Sequence, residues 1–216
     1  KLDDIKAIDP TTTPGVKGFM GASTGNMLVD DPIILDGIFQ HAPTVIITHC
    51  EDTPTIQANL EAAKAKYGDA GIPLTEHPHI RSRQACLKST ELALSLAHRH
   101  DSRLHVLHIS TADELRLFAA GPMDGKRITA ETCVHFLHFY DEAYERLGTR
   151  IQCNPAIKTA ADRAALIAAV RDGRIDILAT DHAPHTREEK ARPYPSSPAG
   201  LPLVQYALVS ALEHVH

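Results

Sequence analysis

The sequence predicts an α/β protein with a parallel sheet of the (β/α)8 barrel type. Short apolar, β-branched segments alternate with longer segments of helical spacing along the chain of 216 residues. The pattern gives about five strand–helix units, whereas a closed barrel of this kind needs eight. Side chains that bind metals follow the strands, as is typical of barrels with active sites at the carboxyl ends of their strands. We therefore expect residues 1–216 to form one incomplete barrel domain. A smaller open sheet of five parallel strands is the alternative.

The individual elements follow from apolar runs and from capping residues. Predicted strands cover residues 15–20, 45–48, 104–107, 127–131 and 175–179. Predicted helices cover residues 31–41, 55–67, 82–99, 112–119, 141–147, 160–171 and 203–214. Asp31 and Pro32 favour a helix start, and Gly173 favours a helix end. We expect residues 151–154 to be extended and place His135 and His138 in a loop.

Composition argues against several classes of protein. A formal net charge of -5 argues against a nucleic-acid surface, which needs a basic excess. No apolar run approaches the roughly 20 residues that cross a bilayer, so no membrane association is expected. The four cysteines (Cys50, Cys86, Cys133 and Cys153) form no CxxC pair, which predicts reduced thiols in a cytoplasmic protein. The 14 histidines instead direct attention to imidazole and carboxylate metal ligands.

Residues able to bind a divalent metal are predicted at the ends of the strands. They are Lys17, His49, His108 and Asp181, with Glu131 on the remaining strand. A single histidine is more often a core or surface residue than a ligand. The shared position changes this, because strand ends of a barrel converge on one pocket.

Lys17 requires separate chemistry, because an ammonium group repels a metal ion. Its amine can react with carbon dioxide to give a carbamate whose two oxygens bridge two cations. Burial near metals would lower the lysine pKa and favour this reaction. The alternative is a lysine whose charged end remains in water beyond an apolar stem.

The run from Leu178 to His185 is the most informative segment. An apolar strand ends in a carboxylate, two imidazoles and a proline, which would place Asp181 at the mouth of a pocket. The alternative is a turn in which Asp181 caps the following helix. The strand-end residues elsewhere in the chain favour the pocket.

Four segments together resemble the dihydroorotases, which are cyclic amidohydrolases of the amidohydrolase superfamily. They are residues 16–26 (VKGFMGASTGN), 48–51 (THCE), 105–111 (HVLHIST) and 179–185 (ATDHAPH). The last of them is the most specific. The lysine and histidine segments are shared with allantoinase and dihydropyrimidinase and therefore support the superfamily more than the substrate.

The resemblance implies a centre of two zinc ions bridged by carbamylated Lys17. It assigns His49 and His108 to the more buried ion, and it makes Asp181 both a ligand of the other ion and the residue that exchanges a proton. It also implies a substrate pocket formed by Asn154, His185, Ala199 and Gly200. His182 is interpreted as structural or as supporting another site residue.

One departure from the family pattern concerns the HxHxR strand, which supplies two ligands to the first metal. Residues 77–81 (HPHIR) have this spacing but are predicted to lie in a loop. We expect the first barrel strands and the C-terminal segment of the family to be missing from this chain. On its own, the chain is expected to have severely reduced activity.

The resemblance implies a zinc-dependent, reversible cyclisation of N-carbamoyl-L-aspartate to L-dihydroorotate in pyrimidine biosynthesis. Allantoinase and dihydropyrimidinase are the alternatives within the class. A non-catalytic subunit that supports aspartate transcarbamoylase is the alternative outside it. The expected partners are the small-molecule substrate, a second copy in a homodimer and, for the non-catalytic alternative, the transcarbamoylase.

Three features of the chain receive structural interpretations. Cys50 follows His49 and by alternation should point away from the pocket, so it is not assigned as a nucleophile. Residues 186–190 are interpreted as a solvated, mobile rim, and residues 21–26 as a turn near Lys17.

Overall fold

A parallel sheet of five strands forms the centre of the computed structural model, which describes residues 2–21, 28–29 and 31–214. The strands are β1 (Gly15–Phe19), β2 (Val45–His49), β3 (Leu104–Val106), β4 (Ile128–Cys133) and β5 (Ile177–Ala179). They lie in chain order, β1-β2-β3-β4-β5, and every neighbouring pair is parallel. Strands in chain order with helical crossovers form the wall of a (β/α) barrel. This confirms the predicted fold class.

Helices connect the strands and cover one face of the sheet. In the described residues the α-helices are α1 (Leu2–Lys6), α2 (Pro32–His41), α3 (Thr53–Tyr67), α4 (His77–Ile80), α5 (Arg83–His100), α6 (Val134–His138), α7 (Ala143–Leu147), α8 (Ala160–Asp172), α9 (Arg187–Lys190) and α10 (Ala207–Leu212). Short 3-10 helices lie at Leu74–Glu76, Glu114–Leu117, Gly148–Ile151 and Val204–Tyr206. No helix in the described part of the chain is long and apolar enough to span a bilayer.

The register of the sheet separates a core face from a polar face. Ile46, Leu104 and Val106 point to one side and are buried in the main apolar cluster. On the other side Phe19 is paired with His49, and His105 is paired with Thr129. Because side chains alternate along a strand, this second face carries the polar residues that approach the carboxyl ends.

The helix start predicted at Asp31 and the helix end predicted at Gly173 are confirmed, and a further cap is present at Thr159. The Asp31 carboxylate accepts the N–H groups of Ile33 and Ile34 at the start of α2. Thr159 and Asp162 form a reciprocal capping box at the start of α8. Gly173 ends α8 with a left-handed φ of 75°, a conformation that favours glycine.

The predicted helix 112–119 is wrong, because only a 3-10 turn, Glu114–Leu117, forms there. The Glu114 side chain does not remain in solvent at a helix start. It is buried and accepts hydrogen bonds from the hydroxyls of Thr90 and Thr111. These side-chain contacts hold the segment in a tight turn.

The loop predicted for His135 and His138 is also wrong, because both residues belong to α6. Val134, Phe136 and Leu137 are buried, so the segment folds against the core as a helical turn. Other boundaries also differ from the prediction. The first residue of the segment 151–154, which was predicted to be extended, is the last residue of the 3-10 helix Gly148–Ile151. The helix predicted at 203–214 is shorter and consists of the 3-10 helix Val204–Tyr206 followed by α10.

Candidate metal centre and substrate cavity

A cavity of about 810 Å³ opens where the strands end, and all of the predicted site residues line it. These residues are Lys17, His49, His108, Asn154, Asp181, His185, Ala199 and Gly200. They come from segments that are far apart in sequence. Lys17, His49, His108 and Asp181 converge on one cavity, as the strand-end pattern predicts for a barrel.

Two buried imidazoles form the best-defined part of the cavity. His49 is the last residue of β2, and His108 follows β3 by two residues. His49 Nδ1 lies 2.9 Å from His108 Nε2. Burial, followed by the nearby His49, lowers the pKa of His108 well below its ordinary value, so this ring is neutral at pH 7. A neutral imidazole is the form that binds metals.

The backbone is strained at two of the predicted ligands. His108 has a φ of 41° and Asp181 a φ of 44°, both in the left-handed region. This region is uncommon for residues other than glycine and clusters at functional sites. At His108 the backbone N–H donates to Glu131 Oε1 at 3.4 Å. The strain therefore coincides with the turns that direct these side chains from the ends of their strands.

The sequence predicts Glu131 at the end of a strand, but in the structure it lies within β4. Its Oε2 is 3.1 Å from His105 Nε2, and its other oxygen accepts the His108 N–H. The structure thus gives Glu131 a supporting contact beneath the imidazole pair.

A buried ion pair that the sequence did not predict lies directly behind His49. Glu51 is fully buried, and its Oε2 lies 3.2 Å from His49 Nε2 and 2.5 Å from Arg81 Nη1. Burial opposes ionisation, but Arg81 and His49 hold the pKa of Glu51 well below its usual range. Glu51 lies two residues after His49, and this spacing was the available sequence signal.

Lys17 and Asp181 occupy a more open part of the cavity. Lys17 lies within β1 rather than at its end, is exposed, and has its ammonium 4.9 Å from the centroid of the Phe19 ring. The premise that Lys17 is buried is therefore wrong. Asp181 is also exposed, yet partial desolvation by the cavity walls raises the pKa of its carboxyl against the opposing effects of His49 and Lys17.

The predicted substrate wall is closely packed around Gly200. His185 Nε2 donates to the Ala199 carbonyl at 3.2 Å. Gly200 has a φ of 141°, and a Cβ there would lie 2.5 Å from the Ala183 carbonyl oxygen, so a side chain cannot be accommodated. The Gly200 N–H donates to the Gln152 carbonyl at 2.8 Å.

Two side-chain amide oxygens on this wall lack a hydrogen-bond partner in the described structure. Asn154 Oδ1 and Gln152 Oε1 are buried and have no hydrogen-bond partner among the described residues. Both residues line the cavity. A buried acceptor without a partner costs free energy, so a bound N–H or O–H group would stabilise these positions.

Lys190 corrects the prediction of a solvated rim at residues 186–190. Thr186 and Glu189 form a capping box on α9, and the Lys190 side chain is buried. Its ammonium donates to the carbonyls of Gln152 at 3.0 Å and Pro198 at 2.8 Å. Burial lowers the pKa of Lys190 to about 8. These hydrogen bonds hold in place the segment that contains Ala199 and Gly200.

The segment with HxHxR spacing is a short helix, α4, rather than the predicted loop. His77 is buried, and its Nε2 donates to the Cys153 carbonyl at 2.8 Å. His77 and Arg81 line the cavity, so this segment contributes to the site from a helix.

Cys50 and His182, which directly follow the predicted ligands His49 and Asp181, make the structural contacts that the sequence suggested. Cys50 is part of the apolar core, and burial raises the pKa of its thiol to about 12, which argues against a nucleophile. His182 Nδ1 accepts the Val204 N–H at 3.1 Å. The predicted turn at residues 21–26 lies, apart from Gly21, outside the described residues.

The donor set fits a divalent ion of the zinc type. Two imidazole nitrogens face each other, and an amine and a carboxylate line the same cavity. Within the described ranges, no group of three or more His, Cys, Asp or Glu side chains is close enough together to hold an ion by itself. The fit therefore depends on the imidazole pair, with Lys17 and Asp181 as the further candidates.

The sheet and cavity define the barrel of the amidohydrolases, and solved structures share this fold. The L-hydantoinase (dihydropyrimidinase) of Arthrobacter aurescens superimposes with a TM-score of 0.87 at 26% identity over 98% of this chain and 48% of that one. A dihydroorotase of Saccharomyces cerevisiae gives a TM-score of 0.71 at 17% identity over 99% of this chain and 57% of that one.

Within this class the sequence is related to the dihydroorotases. It is 33% identical to a dihydroorotase of Pelotomaculum thermopropionicum over 88% of this chain and 47% of the relative. It is 37% identical to one of Brevibacillus brevis over 72% of this chain and 36% of the relative. The chain thus spans half or less of these relatives. No family model matches it.

Proposed function

We propose that this chain provides the metal-binding part of a cyclic amidohydrolase that interconverts N-carbamoyl-L-aspartate and L-dihydroorotate in pyrimidine biosynthesis. The observation that carries the proposal is the contact of His49 with His108 in a cavity that also includes Lys17 and Asp181. The similarity to dihydroorotases supports the choice of substrate.

The metal part of the proposal assigns two zinc ions to Lys17, His49, His108 and Asp181, with Lys17 carbamylated. Bound zinc would polarise the amide carbonyl and lower the pKa of a water molecule. Lys17 lines the same cavity as His49 and His108, so a carbamate on its amine would face the imidazole pair. The burial of the two imidazoles keeps them in fixed orientations and limits competing water.

The chain's own residues would bind the substrate and move a proton. Asp181 lines the cavity together with the proposed metal ligands, so that its carboxylate can accept a proton and return it to the leaving nitrogen. Asn154 Oδ1 offers an acceptor to an N–H of the ring amide. His185 supplies a group that can attract the substrate carboxylate.

A hydantoinase or dihydropyrimidinase activity is the second candidate. It is favoured by the structural similarity to the Arthrobacter aurescens enzyme, whereas the sequence relatives favour dihydroorotate. The substrates differ chemically, because dihydroorotate carries a carboxylate and dihydrouracil and hydantoin do not. Allantoin, the substrate of the remaining sister enzyme, is also uncharged.

The proposal also covers the domain organisation, the cellular compartment and the partners of the chain. We place residues 1–216 in a partial barrel domain, because β1 and β5 are unpaired with each other in the described structure and β5 exposes Ile177 and Leu178. The four buried free cysteines support a reducing compartment such as the cytoplasm. A homodimer and an association with aspartate transcarbamoylase are further parts of the proposal.

Turnover by the full-length protein tests the proposed activity. We expect hydrolysis of dihydroorotate with two zinc ions per active site, and little turnover of dihydrouracil, hydantoin or allantoin. Turnover of the uncharged rings alone would assign the second candidate. Absence of bound zinc, with co-purification of a transcarbamoylase, would support the non-catalytic subunit instead.

A further inference from the structure

We propose that Glu51 is a positioning residue that directs His49 Nδ1 toward the metal, and that Arg81 keeps Glu51 in place. This inference rests on the proposed function, because it assumes that His49 binds a metal. It assigns the buried ion pair behind β2 a role in metal affinity as well as in folding.

The positions of the His49 ring nitrogens are the first step. Nδ1 faces His108 Nε2 at 2.9 Å, and Nε2 faces Glu51 Oε2 at 3.2 Å. A neutral imidazole carries its proton on one nitrogen only. A carboxylate beside Nε2 favours the proton at that nitrogen, which leaves the lone pair of Nδ1 directed into the cavity.

This arrangement creates a position suited to a cation. With its proton on Nε2, His49 presents a lone pair to His108 Nε2 at a separation of 2.9 Å. Two lone pairs at this separation repel each other unless a proton or a metal ion lies near both. Glu51 therefore favours the form of His49 that requires a positive charge at the imidazole pair.

Two buried polar atoms show that the contact is incomplete in the present geometry. His49 Nε2 and Glu51 Oε1 lack a hydrogen-bond partner among the described residues, although the two side chains are in contact. Catalytic hydrogen bonds are often poorly aligned before ligands bind and tighten afterwards. A small rotation of His49 as Nδ1 takes a metal would align Nε2–H with the carboxylate.

Arg81 explains how a charged group is maintained at this depth. Glu51 is fully buried, and Arg81 Nη1 lies 2.5 Å from its Oε2. Arg81 follows α4 and lines the cavity, so one guanidinium joins the cavity wall to the residue behind the ligand. An ion pair with a purely structural role would contribute to stability without changing the affinity for metal.

The test compares Glu51→Gln with Glu114→Gln in the full-length protein. Glu114 is a matched control because it is also a buried carboxylate, but it bonds to Thr90 and Thr111 outside the cavity. Zinc affinity is measured by competition with a chelator, and the unfolding midpoint of each metal-free variant is measured alongside. A third variant, Glu51→Leu, removes the acceptor entirely.

We expect zinc affinity to fall about 10-fold in Glu51→Gln and up to about 100-fold in Glu51→Leu, the range found when supporting partners of metal-bound histidines are removed. Glu114→Gln should bind zinc within about 2-fold of the parent, even if it unfolds at lower temperature. Equal zinc affinity in the parent, Glu51→Gln and Glu51→Leu would overturn this inference and leave the proposed function intact. A parent protein that binds no zinc would overturn both.

Discussion

The central and edge strands of the sheet present their metal-binding residues in different ways. At β2 and β3, His49 and His108 are buried and in contact with each other. At β1 and β5, Lys17 and Asp181 are exposed. Fixing a long exposed side chain such as lysine costs roughly 1.5–2 kcal/mol of rotamer entropy, whereas a buried imidazole has already lost its freedom. The central strands therefore preorganise one metal position, whereas the edge strands supply side chains that must still be ordered when a metal binds.

The largest effect should follow removal of an imidazole from the central pair. His108→Ala should abolish stoichiometric zinc binding and reduce turnover by at least about 10³-fold, as expected when stabilisation of transition-state charge is lost. Zinc analysis and steady-state kinetics of the full-length protein measure both effects.

His135→Ala is the control for this prediction. His135 is buried with both ring nitrogens lacking a partner in the described structure, and it is not among the residues that line the cavity. This variant should lower stability but retain zinc in the folded fraction. Normal zinc content in His108→Ala would show that the imidazole pair does not bind the metal.

At the edge of the sheet, Asp181→Asn should reduce kcat by about 10²–10⁴-fold, because the amide cannot transfer the proton. KM should change much less, and asparagine tolerates the left-handed backbone at this position. Asp101→Asn is the matched control, since Asp101 also has a positive φ but ends α5 outside the cavity. An unchanged kcat in Asp181→Asn would contradict the assigned proton transfer.

A smaller effect is expected where Lys190 supports the substrate wall. Lys190→Met should raise KM about 10-fold with kcat nearly unchanged, because charge-assisted bonds to the Gln152 and Pro198 carbonyls are lost. The exposed Lys88, which pairs with Asp52, provides the control Lys88→Met. A fall in kcat without a change in KM would show that Lys190 does not affect substrate binding by the cavity wall.

The smallest effect on catalysis should come from Asp162, a buried carboxylate outside the cavity. It accepts hydrogen bonds from Arg83 and the Ala112 N–H, which help hold its pKa below the ordinary 3.8 although burial opposes this. Asp162→Asn should lower the free energy of unfolding at pH 7 by about 1.5–3 kcal/mol while the kcat of the folded protein is unchanged.

The pH dependence of this stabilisation has a definite sign. Because the folded pKa is lowered, the unfolded chain binds more protons in the acidic range, and the contribution is complete above pH 3.8. It is lost as the pH falls through the lower, folded pKa. Urea unfolding of the parent and of Asp162→Asn should therefore give curves that converge in acid. A constant difference at all pH values would contradict this explanation.

Local sequence signals predicted the elements and the strand-end residues well. The strand of Val45–His49, the cap of Asp31 and the stop at Gly173 depend on neighbours in the chain, and each is present in the structure. Lys17, His49, His108 and Asp181 could be grouped because parallel strands bring their ends together.

The errors involve contacts between distant residues. Residues 112–119 have good helix signals, but Thr90 draws Glu114 into the core. Arg81 lies 30 residues from Glu51, so no local pattern could pair them. Lys190 has the sequence context of a solvated rim, and its burial depends on backbone carbonyls that only the fold brings near.

A zinc-loaded crystal of the full-length protein, measured at the zinc absorption edge, would locate the metal relative to the imidazole pair. We expect an anomalous peak at about 2.0–2.1 Å from both His49 Nδ1 and His108 Nε2, the usual distance between zinc and an imidazole nitrogen. Zinc bound elsewhere, with these two nitrogens still in contact or turned away from each other, would contradict it.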